Sequence, residues 1–75
     1  MMERFLRYSL ENGRKIAAVF LKDGQPCRKN MLVTAIDPDG EHFTAVLSGK
    51  KKAEAFCVSD FLTVDYARGD HGELE

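Results

Sequence analysis

The fold is decided by Lys15-Ile16-Ala17-Ala18-Val19-Phe20-Leu21-Lys22 and by the Asp23-Gly24 that follows it. The middle of the stretch is apolar at every position. Ile16, Ala18 and Phe20 alternate with Ala17, Val19 and Leu21, the pattern of a strand covered on both faces. Asp-Gly is a tight-hairpin signal, because both central positions of that turn need positive φ. The chain therefore doubles back, and a second strand is read from Arg28 to Ile36.

Working outward from this hairpin, further turns follow at regular intervals. Asp37-Pro38-Asp39-Gly40 presets φ at Pro38, lets Asp37 bond the backbone ahead, and offers Gly40 for a left-handed position. A third strand spans His42–Ser48, with Phe43, Ala45 and Leu47 on one face. Ser48-Gly49 opens another turn, decorated by Lys50-Lys51-Lys52. The fourth strand is about Ala53–Val58. Ser59-Asp60-Phe61 fits a single helical turn, and Leu62–Tyr66 is the fifth strand, with Leu62, Val64 and Tyr66 on one face. Upstream the period is different. Met2, Phe5, Leu6, Ser9 and Leu10 recur at helical spacing over residues 2–12. Glu3 and Arg7 form an i,i+4 pair, and Gly13 is placed to close the helix.

This order predicts one domain over residues 1–66, mainly β with one N-terminal helix. Consecutive tight turns make neighbouring strands antiparallel. Five short strands around a thin core are expected to curl into a five-stranded antiparallel barrel, which removes exposed edges. The helix would cover one side of the first strand and the barrel interior the other. Residues 67–75 are polar and are read as a flexible tail.

At 75 residues and 44% hydrophobic, the chain has material for one small core and no second domain. The net charge of -1 argues against capture of nucleic acid by total charge. It is uneven, however. Residues 1–29 carry seven Lys/Arg and three Asp/Glu, a net of +4, and residues 30–75 carry four and nine, a net of -5. A basic patch is therefore open to the fold. No run approaches the roughly 20 apolar residues of a membrane span. The N-terminus lacks the apolar run of a signal peptide, so a cytoplasmic location is expected. Cys27 and Cys57 are then expected to be thiols, with Cys57, mid-strand among Ala53, Ala55 and Val58, the slower to react.

Little in the chain points to catalysis. His71 lies in the tail, and His42 reads as an exposed strand residue. No nucleophile, base and orienting group are spaced to act together, so no enzyme activity is expected. Asp37-Pro38-Asp39-Gly40-Glu41 departs from the EF-hand calcium loop, which needs Gly sixth and Glu twelfth; those places hold His42 and Ser48. The cysteines and histidines include no close ligand pair for zinc. No cofactor is expected. The basic groups Arg28, Lys29, Lys50, Lys51 and Lys52 remain as candidate contacts for a ligand or nucleic acid. Lysines on a turn are read first as a solvated surface, and second as phosphate contacts that anchor without reading sequence. Phe43 and Phe61 could stack bases, but core positions explain them more simply.

Ile16–Phe20 ends a strand on an aromatic, and Arg28 opens the next strand with a basic residue. His42-Phe43-Thr44-Ala45 follows the turn at Gly40. Phe56-Cys57-Val58-Ser59-Asp60-Phe61 carries the fourth strand through a short turn into an apolar residue. In these features, over residues 2–66, the chain resembles the Sm-like small β-barrels, and among them the WYL domain of bacterial regulators. It departs from that family at His42-Phe43-Thr44, where Trp-Tyr-Leu would fall, and at Cys57, which aligns with a basic residue implicated in ligand or nucleic-acid binding. The resemblance implies the fold and carries over no functional residue. The expectation is a bacterial-type binding module for a ligand or nucleic acid, with a regulatory role and a homo-oligomeric state open to it. The alternative is a protein-interaction adaptor that offers an exposed strand edge or oligomer interface.

Overall fold

In the computed structural model, which describes residues 2–69, the change of period at Gly13 separates a helix from a sheet. Helix α1 runs Met2–Asn12. Gly13 closes it in the left-handed region at φ 63°, its N–H donating to the Ser9 carbonyl at 2.9 Å. Glu3 and Arg7 pair at 3.0 Å on the solvent side. Leu6 and Ser9 are buried, with Met2, Phe5 and Tyr8 packed beside the core. Leu10 was expected on this face but is 39% exposed. The stripe that meets the sheet is centred on Phe5 and Ser9, and Leu10 falls on its margin.

Five strands follow: β1 (Ile16–Lys22), β2 (Gln25–Ile36), β3 (His42–Leu47), β4 (Glu54–Cys57) and β5 (Phe61–Tyr66). A 3-10 turn, Val58–Asp60, links β4 to β5. All pairings are antiparallel, in the order β4-β3-β2-β1-β5. The β1–β2 turn has Asp23 at φ 54° and Gly24 at φ 77°, so both central residues take the left-handed conformation. Lys22 faces Gln25 across it, and β2 therefore begins three residues before Arg28. Pro26 is tolerated there because it sits opposite Leu21 in a pair that exchanges no hydrogen bonds, its missing N–H facing away from β1.

Strand β2 is shared unequally. Residues 25–31 pair with β1 and residues 31–36 with β3, so Met31 alone stands in both ladders. The core gathers around this junction: Leu6, Ile16, Ala18, Phe20, Met31, Val33, Phe43, Ala45 and Leu47.

Two expectations need correction. The sheet is open rather than a closed barrel: β4 and β5 are its two ends and no ladder joins them. The 3-10 turn passes the chain from one edge to the other without bringing the backbones into register. Side chains close the gap instead. Phe20, Phe43, Phe56 and Phe61, from four strands, meet at centroid distances of 5.1–5.8 Å. The second correction concerns β1, which is not covered on both faces. Ile16, Ala18 and Phe20 are buried, whereas Ala17 and Val19 are half-buried and Leu21 is 40% exposed. The helix packs on the same side as the core, sharing Leu6 with it, and leaves the second face of β1 to solvent.

One hydrogen bond fixes how α1 docks. The Val33 N–H points toward the place β1 would occupy had it begun two residues earlier. It donates instead to the Ser9 Oγ at 2.9 Å, in a buried site. Of the expected tail, residues 67–69 are described and lack strand or helix. The rest of that reading, residues 70–75 with His71, lies outside the described residues.

Candidate functional site

Strand β5 carries a bulge that re-aims its side chains. Val19 faces Thr63 and Phe20 faces Phe61, so Leu62 is the unmatched residue. Phe61, Val64 and Tyr66 turn inward and Leu62 turns out, 55% exposed. The expected grouping of Leu62 with Val64 and Tyr66 is thereby corrected. A groove of about 680 Å³ opens where α1 meets this bulge, lined mainly by Met2, Phe5, Val58, Phe61, Leu62 and Val64. Arg4 sits at its lip, the guanidinium carbon 5.4 Å from the Phe5 ring centroid.

The groove runs beside the free edge of β5. Ladder parity turns the backbone groups of Thr63 and Asp65 toward β1 and those of Val64 and Tyr66 toward the edge. The Tyr66 N–H is already taken by the Asp65 carboxylate at 2.7 Å. Among the described residues an open stretch centred on Leu62–Val64 remains, alongside the apolar lining. Tyr66 itself packs edge-on against Phe5 and Tyr8, each at 5.0 Å, which pins that end of β5 to the helix.

The basic candidates are only partly assembled. Arg28 and Lys29 are neighbours in β2 and so point to opposite faces, Arg28 paired with Val19 and Lys29 with Ala18. They do not form one patch. Lys50, Lys51 and Lys52 lie together on the exposed β3–β4 loop, around a shallow depression shared with Glu54. That loop starts beside β2, the Ser48 N–H donating to the Asn30 carbonyl at 2.9 Å. It therefore leaves the sheet one residue from Lys29.

The turn before β3 is built by Asp39 rather than by the Asp37 side chain. One Asp39 carboxylate oxygen accepts from the Glu41 and His42 N–H groups at 2.8 and 3.2 Å, and the other meets the His42 Nδ1 at 2.8 Å. The Asp37 carbonyl accepts from the Gly40 N–H at 3.0 Å. The Glu41 and His42 donors hold the Asp39 carboxyl below the usual range, and the Asp39 carboxylate holds the His42 imidazole above its usual range. Asp37, Asp39 and His42 offer oxygen and nitrogen atoms within 4.8 Å of one another, but all three are exposed. Asp39 spends both oxygens on the turn itself.

Both Cys27 and Cys57 are free thiols. Among the described residues no helix is long and apolar enough to cross a membrane. Reading the sequence missed the groove. Its residues come from the start of α1, from the 3-10 turn and from β5, far apart in the described chain, and nothing local announces the bulge that exposes Leu62. No family model matches the chain, nor does any curated protein or solved structure.

Proposed function

We propose that the chain is a non-enzymatic protein-interaction module that takes an extended peptide along the free edge of β5. The peptide adds as a short strand beside Leu62–Val64. It places an apolar side chain in the groove and a carboxylate against Arg4. The observation that carries this reading is an exposed leucine, at the bulge of an edge strand, inside an apolar groove. A three-residue edge supplies few main-chain bonds, so binding is weak and the groove sets specificity. The strand order and the single turn between β4 and β5 support kinship with the Sm-like group. A cytoplasmic location fits two unpaired thiols.

Selection from a displayed random-peptide library tests the proposal. Binders should share an apolar residue next to Asp or Glu and lose binding to Leu62→Lys. Arg4→Glu should select for the opposite charge. No enrichment, or binders indifferent to Leu62→Lys, would refute it. Self-association through the same edge is the competing outcome, read as a doubled mass in solution that Leu62→Lys returns to the monomer.

Nucleic-acid binding is the second reading, favoured by the gathering of Lys50, Lys51 and Lys52 on one exposed loop. It requires an affinity that falls steeply with salt.

A further inference from the structure

One cluster of reactive side chains lies apart from the groove. His42 and Cys57 are cross-strand partners at the end of the β3–β4 ladder. The Val58 N–H donates to the Glu41 carbonyl at 2.8 Å. That bond marks His42 and Cys57 as a pair exchanging no ladder hydrogen bonds, the kind whose side chains stand closest, with Cβ atoms about 4.5–5.5 Å apart. Asp39 fixes the imidazole through Nδ1, leaving Nε2 unengaged by that contact. On the other side of the sulfur, the Ser59 Oγ lies 3.0 Å from the Cys57 Sγ. Both His42 and Cys57 line a cleft of about 370 Å³, together with Phe20, Leu21, Phe56 and Asp60. Cys57 is thus the last residue of β4, at a cleft wall, and not a mid-strand residue. Cys27 differs: it lies opposite Phe20 and packs against the core.

We infer that Cys57, with His42 as its positioning residue, is a thiol site that takes a small-molecule disulfide into this cleft. While His42 is protonated its charge stands beside the sulfur, where negative charge spreads over the sulfurs during the transfer, and the Ser59 hydroxyl flanks the sulfur on its other side. The Cys57 thiol gives up its proton to solvent. Its sulfur then attacks one sulfur of the disulfide, and a new bond to Cys57 forms as the old S–S bond breaks. The departing thiolate takes up a proton, so one thiol and one disulfide yield a mixed disulfide and one free thiol. The charges facing this pair are Asp37, Asp39 and Glu41 around the imidazole and Asp60 in the cleft wall.

Oxidised glutathione is the probe, with peptide mass mapping giving the rate at each cysteine of the native protein. Cys57 should take the adduct about tenfold faster than Cys27 at neutral pH. That ratio should fall as pH rises and His42 loses its charge. His42→Gln should bring the ratio near one and make it independent of pH, while Ser59→Ala lowers it and leaves the pH dependence in place. Cys27 in the same molecule reports any loosening of the fold. An equal rate at the two cysteines of the wild type would overturn the inference. So would a ratio that His42→Gln leaves unchanged, or a Cys27–Cys57 bridge in place of the adduct.

Discussion

Replacing Ser9 with Ala removes one oxygen atom and should cost far more than an exposed serine would. Ser9 is fully buried, and its Oγ is the acceptor for the Val33 N–H at 2.9 Å. Strand β1 does not reach Val33, and β3 takes the opposite side of β2 there, so neither neighbouring strand offers the N–H a carbonyl. A buried donor left without an acceptor costs about 1–3 kcal/mol. Against a total stability of roughly 4–11 kcal/mol for a chain of this size, that is a substantial share. The assay is urea unfolding of wild type, Ser9→Ala and the exposed control Ser48→Ala. The midpoint should fall for Ser9→Ala at unchanged slope, and Ser48→Ala should stay within about 0.5 kcal/mol of wild type. A Ser9→Ala loss no larger than that of the control would refute the role assigned to this hydrogen bond.

Gly24→Val should destabilise by about 1–2 kcal/mol, because φ is 77° there and a β-branched residue resists the left-handed region; nothing lies within 4 Å of the added carbon, so thermal melts would read backbone strain alone. Changing Lys50, Lys51 and Lys52 together to Gln should move stability by about 0.5 kcal/mol or less. A fluorescence-anisotropy titration with single-stranded DNA at two salt concentrations then decides the second functional reading, and no binding by wild type at low salt removes it. The Asp39–His42 contact should be strongest between the titrations of its two partners. His42 is raised in the folded state, so its contribution is complete below the unfolded imidazole value and is lost as pH rises through the folded one. Asp39 is lowered, so its contribution is complete above the unfolded carboxylate value and is lost as pH falls through the folded one. Melts of wild type and Asp39→Asn across pH should differ most in that intermediate window, less above it, where the Glu41 and His42 N–H groups still favour the carboxylate, and least once Asp39 is protonated.

The elements were legible because their signals are local. Asp23-Gly24, Gly13 and Gly40 each demand a backbone conformation that few residues tolerate, and the structure has positive φ at all four positions. The alternation of Phe43, Ala45 and Leu47 likewise survives as three buried residues. Legibility ended where a side chain's fate depends on partners distant in sequence. Leu62 reads as an inward residue until the bulge against Phe20 is known. Ser9 reads as a polar gap in an apolar stripe until Val33 arrives, from a residue 24 positions away. The apolar second face of β1 promised a covering layer, but the helix lies on the core side. The groove belongs to the same class, since it exists only once Met2 and Phe5 are brought beside β5.

The split of β2 at Met31 bears on how the protein answers to a partner. With only one residue common to both ladders, the β1–β2–β5 half and the β3–β4 half are joined by their shared core, the four phenylalanines among it, more than by a common run of strand pairs. A strand added at β5 extends the first half alone. Amide exchange would slow in β1 and in residues 25–31 of β2 when the groove is filled, while the β3–β4 ladder exchanged at its former rate. Occupancy would be written into one side of the molecule, and the aromatic cluster would be the path by which the other side felt it.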